Sequence, residues 1–164
     1  MIKDIKGLFL DELTRGADLN TLCNIAANAA GIPIALALET RTLVAKSDDY
    51  SQEMVEDYIN GPELSTEEEL ERERVLSTEK LYTGKASFHT FPFVRHRRLI
   101  CGCVQSNKLV AMIDCPLTHK IDRNLVFPII EEAASVFLIA LKLRNYLSPG
   151  SNDSVRAYLN GILN

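Results

Sequence analysis

The stretch LICGCVQSNKLVAMIDCP, from Leu99 to Pro116, constrains this chain more than any other. Two apolar runs flank the polar turn Ser106-Asn107-Lys108, the pattern of a central antiparallel hairpin. It also holds Cys101, Cys103 and Cys115, three of the chain's four cysteines. Zinc favours two to four residues between paired cysteines, and Cys101 and Cys103 have one. On a strand their side chains point the same way about 6.5 to 7 Å apart, poor for a disulfide and tolerable but atypical for chelation. Loop parity decides whether Cys115 joins them. A two- or four-residue loop places Cys115 on the face of Ile100, Gly102 and Val104, whereas a three-residue loop places it opposite Leu99, beside Cys101. The three-residue register is expected, because it gathers Leu99, Cys101, Cys103, Ala111, Ile113 and Cys115 on one apolar face and puts Asp114 on the other. The cysteines then serve as small packing residues.

Around this hairpin the periodicities alternate between helix and strand. Ile5, Leu8, Leu10 and Leu13 form a short helical stripe ending at Gly16. Asp18 is placed to cap a second helix, with Leu19, Leu22, Cys23, Ile25, Ala26, Ala29 and Ala30 on its apolar face and Gly31 and Pro33 to stop it. Ile32 to Leu38 and Thr42 to Ala45 read as a hairpin across the polar turn Glu39-Thr40-Arg41. Ser51 opens a helical pattern through Met54, Val55, Tyr58 and Ile59 that Gly61-Pro62 interrupts. The charged segment LSTEEELERERVLSTEKLYTG then predicts a solvated helix, with Ser65 and Glu68 as a capping box and Gly84 as its end. Ser87 to Val94 and Arg98 to Val104 read as strands joined through Arg95-His96-Arg97, and Leu109 to Cys115 completes a meander. Leu125 to Tyr146 is a helix apolar over more than half its circumference, which calls for a second packing partner, either Ile5 to Leu13 or a helix of another subunit. The fold class is therefore α+β, an antiparallel sheet of about five strands flanked by helices.

The 164 residues suffice for one domain with a sizeable core. Residues 1–147 read as that domain. Residues 148–164, beginning near SPGSND, read as a linker and the start of a following region, with the chain cut before a further domain. A hydrophobic share of 46% and a charged share of 24% disfavour disordered, collagenous and disulfide-scaffold classes. A formal net charge of -4 argues against a free-standing nucleic-acid surface. The cluster Arg95-His96-Arg97-Arg98 is accordingly read as a hairpin end. No secretory signal or membrane-spanning run is expected, and free thiols fit a reducing cytoplasm.

His89, His96 and His119 lack metal-ligand spacing, and no phosphate loop, Ser-His-Asp arrangement or paired-carboxylate motif is present. No catalytic residue, metal or cofactor is assigned. By two-residue alternation His89, Phe91 and Phe93 share one face, which could line a pocket with Tyr82 at its mouth and Arg95 placed for a carboxylate or phosphate. The alternative is that Phe91 and Phe93 are core and Arg95 a solvated turn residue. The candidate ligand-binding residues are Tyr82, His89, Phe91, Phe93 and Arg95, with Cys101 and Cys103 of the adjoining strand.

LNTLCNIAANAAGIPIALALETRTLVAKS, where a small-residue helix runs into a G-I-P-I strand and a hairpin, resembles a GAF-type sensor domain, as does RRLICGCVQSNKLVAMIDCPL followed by IIEEAASVFLIALKLR. More narrowly the chain resembles the amino-terminal sensor of PucR/CdaR-like bacterial transcriptional regulators, and VRAYLNGILN resembles the start of their linker toward a helix-turn-helix. The resemblance implies a cytoplasmic, non-catalytic sensor with a pocket between the sheet's outer face and the connecting segments, taking a small molecule or a partner. It further implies a homodimer through the terminal helices, and DNA contact only through a carboxy-terminal domain absent from this chain. A rival reading is a cysteine-dependent redox enzyme or sensor resembling the free methionine sulfoxide reductases. Those enzymes carry a cysteine in a G-V-C-G type loop, whereas GCV and ICG here lie inside a strand.

Overall fold

Local signals set the ends of most elements. In the computed structural model, which describes residues 5–144, the Asp18 carboxylate accepts from the Thr21 N–H at 2.8 Å and opens α2 (Leu19–Ala30). Gly31, at φ 73°, ends it in the left-handed conformation that glycine tolerates. Ser51 caps α3 (Gln52–Asn60) in the same way. The following helix, α4 (Glu67–Leu81), is capped by Thr66, whose hydroxyl accepts from the Glu69 N–H. The expected Ser65–Glu68 cap is displaced by one residue because Ser65 closes a 3-10 turn over Gly61–Leu64, its N–H bonding the Pro62 carbonyl. α1 (Ile5–Thr14) is anchored by Ile5 and Phe9, the latter 6.4 Å from the ring of Phe137, while Leu8 is exposed. Residues 145–164, and with them Tyr146 and the expected linker, lie outside the described residues.

Five strands, β1 (Ala35–Leu38), β2 (Leu43–Lys46), β3 (Ser87–His89), β4 (Arg98–Gln105) and β5 (Lys108–Pro116), form one antiparallel sheet in the order β2-β1-β5-β4-β3. The β1–β2 hairpin joins the β3–β4–β5 meander through β1 and β5. The fold is thus α+β, with helices on both faces of the sheet. β3 is shorter than the expected Ser87 to Val94 strand. Pro92 has no N–H to give a ladder, and residues 90–97 form a loop instead.

Leu99 faces Cys115, Cys101 faces Ile113 and Cys103 faces Ala111. The loop itself has two residues, Ser106 and Asn107, both at positive φ as a type I′ turn requires. A bulge between Cys103 and Val104 supplies the odd residue, Val110, and moves Cys115 to the face of Leu99.

That face packs on α1, α2 and α5 (Arg123–Leu143). By length and composition α5 would suffice to cross a bilayer, contrary to the expectation that no segment approaches this, but half of its most apolar window is buried inside the fold. Val126, Ile130, Ala133, Phe137 and Leu141 meet the sheet and its neighbouring helices. α1 supplies the second packing partner that α5 requires.

The other face packs on α3 and α4, and Gly102 permits it. A Cβ there would lie 1.9 Å from the Leu81 carbonyl oxygen, so the end of α4 rests directly on the β4 backbone. Gly102→Ala is expected to destabilise the protein by about 3 kcal/mol, the upper end of ordinary overpacking costs. Urea unfolding checks this, and an unchanged midpoint would contradict the close approach.

Candidate functional site

The α3–α4 side of the sheet carries charge in its interior. Asp114 is the one carboxylate of β5, 1% exposed, and faces Arg98, also 1% exposed. The Tyr50 hydroxyl donates to Asp114 Oδ2 at 2.8 Å. Arg98 Nε lies 3.7 Å from Asp114 Oδ1, and an Arg98 Nη reaches Asp57 Oδ2 of α3 at 3.2 Å. Burial pushes the Asp114 carboxyl above its ordinary value, opposed by Arg98 and the Tyr50 hydrogen bond. Arg98 Nη1 is buried with no hydrogen-bond partner. Arg98 is therefore the anchor of a buried network and no part of the solvated hairpin end expected for Arg95 to Arg98.

Beside this network lies a cleft of about 500 Å³. Met112, Asp114 and Arg98 form its floor. Leu70, Glu73, Arg74 and Ser77 of α4 line one wall, and Tyr58 and Ile59 of α3 another. The loop residues Phe91, Phe93 and Val94 close it on a third side. Gly61 sets the position of that loop, since a Cβ there would come within 2.6 Å of the Phe93 carbonyl oxygen. The β1–β2 turn, Thr40 to Leu43, completes the rim.

Arg41 is the chain's least ordinary turn residue. It sits at φ 72°, a left-handed conformation that costs a side-chain-bearing residue about 1–2 kcal/mol. Its N–H bonds the Leu38 carbonyl, and its own carbonyl accepts from the Tyr58 hydroxyl at 2.8 Å. The half-buried guanidinium reaches Thr78 Oγ1 at 2.9 Å, Ser77 Oγ at 3.5 Å and the Met112 sulfur. No carboxylate among the described residues lies within ion-pair distance of it. Burial lowers its affinity for a proton. Arg41 and Arg74 also line a second cavity of about 510 Å³, together with Tyr82.

The sequence-derived residues are distributed unevenly around the cleft. Phe91 and Phe93 line it, and His89, Phe91 and Phe93 stack in a row with centroids 4.3 and 5.3 Å apart, although the row is made by a loop and not by strand alternation. His89 stands behind the wall, its Nδ1 3.0 Å from Lys80 Nζ and its Nε2 2.9 Å from Glu73 Oε2. Because an ammonium only donates, Nδ1 accepts and Nε2–H donates to Glu73. Tyr82 is exposed and lines the second cavity. Arg95 lies outside the cleft lining, paired with Glu53, and its N–H reaches Asp57, which ties the loop to α3. Cys101 and Cys103 belong to the opposite face of the sheet, because alternation along β4 points them away from the face of Arg98, Ile100 and Gly102. Arg41, Arg98 and Asp114 were missed. An aspartate inside the apolar run LVAMIDCP is the one legible signal for that network.

Comparison with protein-family models and with curated protein sequences yields no match for this chain.

Burial governs the thiols. It pushes Cys23 and Cys101 up to about 12 and holds Cys103 and Cys115 well above the usual thiol range. At pH 8 the folded protein is expected to leave all four thiols unmodified by an aromatic disulfide reagent, and the urea-unfolded chain to titrate four. The folded thiol values exceed the unfolded value near 9.0, so folding favours the protonated form. This contribution is intact below pH 9 and declines as pH rises from 9 toward 12. Unfolding midpoints at pH 8 and pH 10 measure the loss.

Proposed function

We propose that this chain is a non-catalytic sensor domain that binds a small molecule in the cleft between the sheet and α3–α4, as part of a bacterial transcriptional regulator. The carrying observation is the cleft itself: about 500 Å³, within the size range of ligand sites, mostly apolar in its walls, with a few converging polar groups. The regulatory role follows from the GAF-type and PucR/CdaR-like resemblance. DNA contact belongs to another domain, consistent with the net charge of -4. The buried free thiols fit a cytoplasmic setting.

A route from the cleft to α5 is supported by two contacts. α4 lines the cleft and rests on β4 at Gly102, and the segment after it is tied to α5 where the Ala86 N–H donates to Glu131 Oε2 at 2.9 Å. A ligand that draws α4 toward the floor biases the packing of α5 through these points. Dimerisation through the terminal helices remains part of the reading. α1 covers much of α5, leaving Leu8 and Leu125 as exposed apolar side chains on these helices.

The redox alternative finds no support in this geometry, since Cys101, Cys103 and Cys115 face the opposite core. Native mass spectrometry of the purified protein is expected to reveal a bound small molecule, and adding back that molecule at a hundredfold over Kd to stabilise the protein by about 2.7 kcal/mol. Leu70→Trp, which fills the cleft from α4, should abolish the shift. A ligand that binds Leu70→Trp as tightly as the unaltered protein would place the site elsewhere.

A further inference from the structure

Resting on the reading of the cleft as a ligand site, we infer that its ligand is a small organic acid, with an apolar body against Phe91, Phe93 and Ile59 and a carboxylate held by Arg41. The charge arrangement selects this chemistry. Three guanidinium groups line the cleft, and two are matched: Arg98 by Asp114 and Asp57, and Arg74 by Glu71 at 3.6 Å. The cleft's own carboxylates are occupied, Asp114 by Tyr50 and Arg98, and Glu73 by His89. Arg41 has only neutral partners, the hydroxyls of Ser77 and Thr78 and a thioether. A half-buried guanidinium without a counter-charge is costly, and a planar carboxylate is the partner its fork of donors fits best.

The backbone reinforces the assignment. Arg41 is held in a left-handed conformation by the Tyr58 hydroxyl, which fixes the guanidinium over the floor at Met112. Two residues along β5, about 7 Å away, Asp114 holds Arg98, whose Nη1 is buried in the cleft floor without a hydrogen-bond partner. The apolar walls exclude inorganic phosphate as the better occupant, since they would be left facing water.

The test is calorimetric titration of benzoate, phenylacetate and octanoate, each beside its primary amide, into the unaltered protein, Arg41→Gln and Arg41→Lys. A neutral fluorescent probe, N-phenyl-1-naphthylamine, reports the apolar cleft independently. At least one acid is expected to bind at least tenfold more tightly than its amide. Arg41→Gln should weaken that acid by roughly ten- to hundredfold, as for a lost charge-assisted hydrogen bond, and weaken it more than it weakens the amide or the neutral probe. Arg41→Lys should retain part of the affinity. Amides that bind as well as acids, with the probe taken up, would overturn the acid assignment and leave the cleft standing. A probe excluded from the unaltered protein, with no acid bound, would overturn both. The acid–amide comparison in the unaltered protein needs no variant to fold.

Discussion

One residue of parity in the β4–β5 hairpin organises the molecule. The bulge at Val110 matches β5 to β4 so that Ala111, Ile113 and Cys115 join Leu99, Cys101 and Cys103 toward α1, α2 and α5, and Met112 and Asp114 join Arg98 toward α3 and α4. A slip of β5 by one position would reverse Ala111, Met112, Ile113, Asp114 and Cys115 against β4 and drive Asp114 into the apolar layer. A carboxylate stranded there without Arg98 and Tyr50 would cost several kcal/mol. The two cores are thus kept distinct by the same ionic network that floors the cleft. Buried ion pairs add little net stability, but they penalise wrong arrangements heavily, and this one ties β4, β5, α3 and the segment at Tyr50 to a single geometry.

The two sides of the sheet differ in character. On the α5 side, alanines, cysteines and branched residues form an apolar core with aromatic contact between Phe9 and Phe137. On the α4 side the apolar cluster is small, Ala37, Leu81, Ile100, Leu109 and Met112, and hydroxyls, guanidinium groups and carboxylates surround it. α4 is held at its carboxyl end by Gly102, while its exposed middle carries Val75 and Leu76. The local stability of that helix is therefore expected to be lower than that of α5.

Much of the architecture was legible because caps, glycines and apolar periodicity agree with one another: Asp18, Gly31, Ser51 and the alternating runs around Asn107 each mark an element end the structure keeps. The register of Cys115 was reached by its apolar face, although the extra residue resides in a bulge and not in the loop, a distinction that composition does not encode. Phe91 and Phe93 were legible as a paired aromatic surface, yet Pro92 between them breaks the strand that was to carry them. Arg41 and Arg98 stand beside turns in the sequence, where a guanidinium is ordinarily solvated. Only the tertiary approach of α3 and α4 buries them, and no local pattern announces that approach. Gly102 is a similar case: nothing in the sequence around it announces that it admits the Leu81 carbonyl.

The brevity of β3 bears on how copies of this chain meet. An outer strand offers its free backbone donors and acceptors to any passing extended peptide, and long flat ones invite edge-to-edge pairing. Here one margin of the sheet is three residues long, and Pro92 and the loop Phe91–Val94 follow it within a few positions; at the other margin β2 is four residues long, irregular in register beside Leu36 and Ala37, and ends in Lys46. Both borders are therefore poor templates for extending the sheet from molecule to molecule, and the fold is guarded against cross-strand polymerisation.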